Sequence, residues 1–436
     1  INSSSSYSGK TVELNCNIDM KNEVIGTSNT FQGTFDGKGH SIINFRTSNG
    51  LFQEIGTGGK VTNLHISGAS FDGESSAGIV AGINSGEIEN VLVTGNLTVT
   101  KDMNYTGGIA GNNKGIINNC VFSGNITADA DSAGAGKYIG GIAGKSEKTI
   151  KNCYTAGTIT GKAAIVAGIA GENNGDVTNC YNYMDISGAD SIAGIASRNV
   201  GTIEGCRNYG SVNQNNLEGD NGQAGGIAAG NDKTITNCYN YGAVTGTGNN
   251  IGGIAGYTAN GIAECGNYGA VQGKSNVAGI AGLYRGTSIN EISKCFNMGV
   301  VEGSGQGIGG ILGSADENPH VKLVNCYNTG NISASGDNIG GIAGILMRGS
   351  IENCYNAGKL TVGADSIAGA VAGFLGETVT CEKSYFEAVT LSMYNKKNEK
   401  VPGEEYKKTE TVLKDGSVVG FLGDACHREN SDLKNG

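Results

Sequence analysis

The side chains best equipped for chemistry in this chain are its 12 cysteines. Ten of them recur as Cys120, Cys153, Cys180, Cys206, Cys238, Cys265, Cys295, Cys326, Cys354 and Cys381, spaced 26 to 33 residues apart. Thiols can cross-link, bind metal or attack an electrophile, and spacing separates these options. No two form a Cys-x-x-Cys pair, the usual unit of a structural zinc site. Disulfides are the ordinary reading of many cysteines in a secreted chain. Here, however, each of the ten falls in the same slot of a recurring segment, and Leu64 and Val91 fill that slot in two earlier copies. Stacked copies aim their Cβ atoms in parallel, a poor start for the near-perpendicular dihedral of a disulfide. The ten are therefore read as buried, reduced thiols acting as small apolar groups, a state that fits a reducing or anoxic habitat.

Acid–base chemistry needs carboxylates that converge. Asp and Glu are instead scattered through turn-like stretches, as at Asp129 and Asp131, Glu218 and Asp220, and Asp316 and Glu317. The histidines, His40, His65, His320 and His427, lie far apart. The sequence thus assigns no catalytic residue, no cofactor and no metal ligand; the turn Glu218-Gly219-Asp220 could hold calcium only weakly, without the ligand spacing of a dedicated site. Recognition is a different matter, because binding residues gather where a rigid scaffold tolerates insertion. Three stretches break the repeat: Asn213 to Gln223, Leu283 to Glu291, and Ser314 to Lys322. They supply the candidate recognition residues Asn213, Glu218, Asp220, Tyr284, Arg285, Asp316, Glu317 and His320.

What positions these groups is a repeat. A core of the form I-G-G-I-A-G, a turn with Asn or Gly, and then I-x-N-C-Y-N-x-G-x-I-x-G returns through most of the chain, for instance at Gly252 to Gly256 and again at Gly340 to Gly344. A period near 30 also suits helical solenoids, but each copy carries several glycines and short alternating Ile or Val runs, with no amphipathic stretch of ten residues. Short strands joined by Gly and Asn corners make one coil of a β-solenoid. Parity refines this. Ile351 and Cys354 lie three apart, so an unbroken strand would send them to opposite faces. A one-residue left-handed corner at Asn353 turns both inward, and Asn tolerates that conformation. The same Asn recurs at Asn119, Asn152, Asn179, Asn237 and Asn325. The expectation is an Asn ladder at this corner, with a Cys ladder inward beside it and Tyr154, Tyr181, Tyr239, Tyr327 and Tyr355 outward, any of these aromatics serving the scaffold first and sugar stacking second.

The totals agree with such a body. Apolar residues make 38% of the chain, too many for disorder, and 2 prolines are too few for collagen despite 76 glycines. A formal net charge of -10 argues against nucleic acid or an anionic membrane surface as partner, and no apolar run is long enough to span a bilayer. The fold expected is all-β: a right-handed, single-stranded parallel β-helix of about twelve coils.

The recurrent G-G-I-A-G and N-C-Y-N-x-G-x-I-x-G segments, with Phe31 to Ile42 and Gly50-Leu51-Phe52 as opening coils, resemble the GLUG repeat of bacterial surface proteins. The resemblance implies an adhesin-like or spacer role, monomeric and extracellular, secreted or attached to the cell surface, with a host or neighbouring-cell protein or glycan as partner. GLUG repeats also stand beside the protease domain of some secreted immunoglobulin A peptidases, whose H-E-x-x-H motif is missing here. The organisation expected is an N-terminal cap and first coil over 1–49, the repeat over 50–385 and a capping segment over 386–436. The start at Ile1 and the end at Gly436 are read as the limits of a fragment. The alternative is a carbohydrate-active β-helix enzyme, a lyase or glycoside hydrolase, which would need three or more carboxylates in one groove.

Replacing Cys238 by Asp would place a charge in the inward slot. It is expected to melt the neighbouring rungs at a cost of about 3 kcal/mol or more, and an unchanged melting curve would disprove the register.

Overall fold

The computed structural model describes residues 6–24, 27–71, 76–99, 104–128, 138–161, 165–215, 222–316, 320–363, 366–387 and 407–408. The chain forms two compact units, Ile1–Asn215 and Asn216–Gly436. Among the described residues the strand pairings within both units are parallel, and no helix occurs. Each unit is a parallel β-solenoid in which one copy of the repeat makes one coil, and the turns of the two units taken together come close to the dozen expected.

A coil of the second unit shows how the sequence does this. Val277–Ala278 makes the first row, Ala281–Tyr284 the second, and Asn290–Ser293, Phe296–Asn297 and Val301–Gly303 the third. The following coil lies on it in register, Ile308 on Val277, Leu312 on Ala281, Leu323 on Ile292, Tyr327 on Phe296 and Ile332 on Val301. In the first unit the third row is longer, with eight-residue strands such as Val121–Ala128 and Tyr154–Gly161. Alternating Ile, Val and Leu from all rows fill the interior.

The one-residue corner is where the sequence put it. Asn119, Asn152, Asn179, Asn237, Asn325 and Asn353 all have φ between 51° and 55°. Asn63 and Asn90 hold the same place in earlier coils, and Gly205, Glu264, Lys294 and Lys383 hold it elsewhere. Ile351 and Cys354 on either side are both fully buried. Amide bonds along this corner link Asn119 to Asn90 at 2.7 Å and Asn90 to Asn63 at 3.3 Å, while Asn152 reaches Asn118 instead.

A deeper ladder comes from the other Asn of the motif, three residues after the corner. In the second unit Asn240, Asn267, Asn297, Asn328 and Asn356 are completely buried. Each of the first four donates from Nδ2 to the Oδ1 of the next at 2.7 to 2.8 Å. The same Nδ2 donates to the carbonyl two residues on, as Asn267 does to Gly269 at 2.8 Å. Asn182 and Asn208 do likewise in the first unit at 2.7 Å. The double glycine of the motif faces this column: a Cβ at Gly253 would lie 2.3 Å from Asn267 Cγ and 2.1 Å from the Gly279 oxygen. Hence the Gly-Gly corner and the buried Asn are one packing unit. A second buried ladder follows the second row, Asn84 to Asn113 and Asn173 to Asn199, each at 2.8 Å.

The cysteine slot proves more specific than a small apolar site. Nine cysteines, Cys120 to Cys354, are fully buried and unpaired by disulfides. Their thiols donate hydrogen bonds: Cys265 Sγ lies 3.2 Å from the Ala263 carbonyl and 3.7 Å from that of Ile235 one rung away. Burial pushes thiols such as Cys120, Cys180 and Cys265 well above their usual range, so they stay protonated donors. The tenth cysteine is a correction. Cys381 pairs with Ile351 and occupies the Ile column, half-buried, whereas Ser384 fills the Cys slot. Ser384 Oγ donates to the Glu382 carbonyl at 3.1 Å and accepts from Cys354 N at 3.3 Å, repeating the bonds a thiol makes there.

The tyrosine row also differs from expectation. Tyr154 is exposed, but Tyr239, Tyr327 and Tyr355 are buried with Phe296 in a cluster covered by Tyr268, Met298, Ala357 and Tyr385. They leave the interior, as parity requires, and neighbouring side chains of the same short strands and turns then cover them. Near the ends, Thr11–Glu13 pairs with Thr34–Asp36, and Lys407–Lys408 pairs with Phe386–Glu387. Cys426 and most of the Lys- and Glu-rich stretch over 390–415 lie outside the described residues.

Substituting Asn267 by Leu would strip three partners of their bonds in a dry column. A loss of about 3 kcal/mol or more is expected, against about 0.5 kcal/mol or less for Leu at the exposed, outward-facing Gln272, both read by chemical denaturation.

Candidate binding surfaces

Two of the repeat-breaking stretches meet in space. Ala281–Tyr284 lies under Leu312–Ala315 and Asn290–Ser293 under Val321–Val324, so the chain leaves both coils at the same corner. Arg285 Nε and Asp316 Oδ2, 2.5 Å apart, tie the two excursions together, and both side chains face solvent. His320 is exposed at the far end of the second excursion. Tyr284 has another role. It is 1% exposed, its hydroxyl donates to the Ser288 carbonyl at 3.0 Å and accepts from Asn290 Nδ2 at 3.1 Å, and so it closes the excursion from beneath. Glu218, Asp220 and Glu317 lie outside the described residues.

Asn213 stands apart from these, in the first unit. It is exposed in Val212–Gln214 and pairs with Ser187. Register extends this column back through Thr160, Thr127 and Thr98, so the face carries a row of hydroxyls ending in an amide. Beside it runs a hydrogen-bonded row in which Asn125 Oδ1 accepts from Thr158 N at 3.1 Å and Asp185 Oδ1 from Ser211 N at 2.8 Å. Next come the aromatics: Tyr154 on Tyr181 at 5.0 Å and 8°, and Tyr183 on Tyr209 at 4.7 Å and 3°. Rings stacked at the rung spacing cover one another's faces. Much of the surface they offer a ligand is therefore edge and hydroxyl, which favours the scaffold role over sugar stacking.

A charged cluster was not picked out from the sequence. Lys145, Glu172 and Arg198 occupy the same position of three successive second-row strands. The Glu172 carboxylate, largely buried, has Lys145 and Arg198 each at 3.8 Å and accepts from Asn174 at 2.9 Å. Arg198 also donates to the Tyr138 hydroxyl at 3.3 Å. Tyr138 stacks on Tyr105 at 5.9 Å, and the Lys145 ammonium sits 5.6 Å over the Tyr105 ring. Burial raises the Tyr138 phenol above its ordinary range, with Arg198 opposing and Glu172 adding to the rise. The signal was present as A-G-K-S, A-G-E-N and A-S-R-N in consecutive copies, and it becomes legible once those copies are set in register. Its charges largely compensate one another.

Among the described residues no three His, Cys, Asp or Glu side chains gather as metal ligands would, and no helix is long and apolar enough to cross a membrane.

Comparison with known proteins agrees with the repeat. The family model described as the GLUG motif matches residues 335–362, one coil of the second unit. Over 88 residues, 19% of this chain, the sequence is 42% identical to Halomucin from Haloquadratum walsbyi, a match that spans 1% of that protein. A crystal structure from Bacteroides ovatus, assigned by its name to the immunoglobulin A1 proteases, aligns over 86% of this chain and 78% of its own at 18% identity, with a TM-score of 0.19. At that score the likeness says nothing about fold or activity.

Replacing Tyr284 by Phe is expected to cost about 1 to 2 kcal/mol, because two bonds under the excursion vanish. Replacing Asp316 by Ala should cost about 0.5 kcal/mol or less, since an exposed ion pair is screened by water; thermal melts of the two variants check the order.

Proposed function

From a repeat chain in which one coil matches the GLUG motif, we propose a secreted or surface-displayed adhesin-like segment of a bacterial cell, monomeric, that presents a flat face or loops to a protein or glycan. The observation that carries this reading is the division of labour within each coil. Inward positions are dominated by apolar residues, Cys and Asn that serve packing, while outward positions are free to carry other chemistry: Leu92, Val121, Tyr154, Tyr181 and Arg207 form one outward column that changes from copy to copy, and Thr98, Thr127, Thr160, Ser187 and Asn213 form another that stays polar. A rigid lattice of exposed hydroxyls, phenols and amides suits recognition by many weak, spaced contacts.

The carboxylates support a binder over an enzyme. Glu87 and Glu89 share Lys60, at 3.3 and 2.6 Å, and Glu147 and Glu172 share Lys145. The hydrogen bond from the Lys60 ammonium holds the Glu89 carboxyl below its usual range, which leaves it an acceptor near neutral pH and a poor proton donor.

The whole chain, labelled and applied to arrays of glycans and host proteins, is expected to retain a defined set of ligands. Arg placed at both Thr127 and Thr160 should weaken that binding on the order of tenfold, about 1.4 kcal/mol, with the melting curve unchanged. Silence across the arrays would overturn the binding role in favour of a spacer, and release of reducing sugar or unsaturated product from any array polysaccharide would overturn it in favour of an enzyme.

A further inference from the structure

The stacked tyrosines hold chemistry that ligand binding leaves unused. Tyr154 with Tyr181 and Tyr183 with Tyr209 in the first unit, and Tyr241 with Tyr268 in the second at 4.8 Å and 6°, are near-parallel ring pairs set at the rung spacing. Register fixes them. Tyr154 is the direct strand partner of Tyr181, and the backbone N–H groups of Tyr209 and Tyr268 bond to the carbonyls of Asn182 and Asn240, just before Tyr183 and Tyr241. At least one ring of each pair is reachable: Tyr183 is 49% exposed, and Tyr154, Tyr209 and Tyr241 are each 40% exposed, while Tyr181 and Tyr268 are half-buried.

A phenoxyl radical spreads its unpaired electron over the oxygen and the ortho and para carbons, in p orbitals that point along the ring normal. Two such radicals bond through these lobes, so approach face to face is the productive one, and a held pair replaces a chance encounter. The para carbon already carries the side chain, which leaves the ortho carbons as the site of coupling. We propose that Tyr183 and Tyr209, and by the same geometry Tyr154 with Tyr181 and Tyr241 with Tyr268, are sites of intramolecular dityrosine formation by a haem-type one-electron peroxidase acting with hydrogen peroxide. Each phenol gives up one electron to the oxidant and its hydroxyl proton to water. The two ortho carbons then join, and their hydrogens move to the phenol oxygens as the rings regain aromaticity. Overall two C–H bonds break and one C–C bond forms, while the peroxide O–O bond takes up the two electrons and two protons and leaves as two waters.

Several other tyrosines among the described residues meet these conditions less well. Tyr284 is buried with its hydroxyl engaged, and Tyr239, Tyr327 and Tyr355 lie under other side chains. Tyr105 and Tyr138 are farther apart and inclined by 24°. A selective outcome is therefore expected from a chain with 17 tyrosines. Each link would bind neighbouring coils covalently on an outward face, without touching the interior ladders.

The test uses the full chain, a haem peroxidase and limiting hydrogen peroxide, read by dityrosine fluorescence and by mass-spectrometric mapping of linked peptides. The expected product is monomeric, with a peptide pair joining Tyr183 to Tyr209 that is lighter by two hydrogens and whose yield per chain does not change on dilution. Tyr183→Phe keeps the ring and the stack but has no phenol to oxidise; it should abolish that pair and leave the Tyr154 to Tyr181 link. Links that join separate chains and fall with dilution, links spread evenly over the tyrosines, or no dityrosine at all would each overturn the proposal.

Discussion

Within each unit the structure depends on amide side chains that have no water to turn to. A buried Asn presents two donors and an acceptor, and leaving any of them unmet in a dry interior costs more than the bond itself is worth. Asn267 meets this by donating to the Asn297 side chain and to its own Gly269 carbonyl, and by accepting from Asn240. A member inside the ladder is satisfied only if the coils on both sides present a hydrogen-bonding side chain at the same height, which is Asn around Asn267 and Thr155 beside Asn182. The ladder therefore enforces register as a greasy column could not, because an Ile shifted by two residues along its strand would still be buried, whereas an Asn so shifted would lose its partner.

The other features of the coil follow from making room for that column. The amide group lies against the Gly-Gly corner, which is why a Cβ there would collide with it. The left-handed residue before the Cys turns the chain so that Ile, Cys and Asn all reach the interior, and it interrupts the regular strand. The carbonyls around this corner are met by the thiol, and where the thiol is missing Ser384 does the same with its hydroxyl. Cysteine is suited to the slot because it is small, apolar enough to bury and still a weak donor. In the coils before Cys120 the slot holds Leu64 and Val91, and the neighbouring column holds Ile66, Val93 and Phe122 before the polar Thr155 and Asn182 take over. In these two columns apolar packing serves the early coils, while the second-row ladder through Asn84 and Asn113 supplies their buried amide bonds.

Because the interior fixes the backbone, the outward positions are released from structural duty. Successive copies can place Thr, Tyr, Lys, Glu or Arg at one position and obtain a column of chosen chemistry at the rung spacing. The Lys145, Glu172, Arg198 cluster and the hydroxyl column through Thr127 are two such columns on the first unit. In the second unit the two excursions at Arg285 and Asp316 arise from extra residues at one corner of adjacent coils, held by an ion pair above and by the Tyr284 hydroxyl below.

The sequence by itself determined the repeat, the strand character of each copy, the left-handed corner at Asn353 and its equivalents, and the burial of the cysteines, since all of these follow from parity and backbone sterics within one coil. It also suggested which stretches leave the repeat. Only the tertiary structure decided which Asn forms the buried ladder, that Cys381 belongs to the Ile column with Ser384 in its place, and that Tyr239, Tyr327 and Tyr355 are covered. Those outcomes depend on what lies one coil away, some 30 residues distant in the chain. A motif read along the chain gives the direction of a side chain, but whether it finds a partner, a glycine gap or another ring above it is settled by the stacking of separate copies.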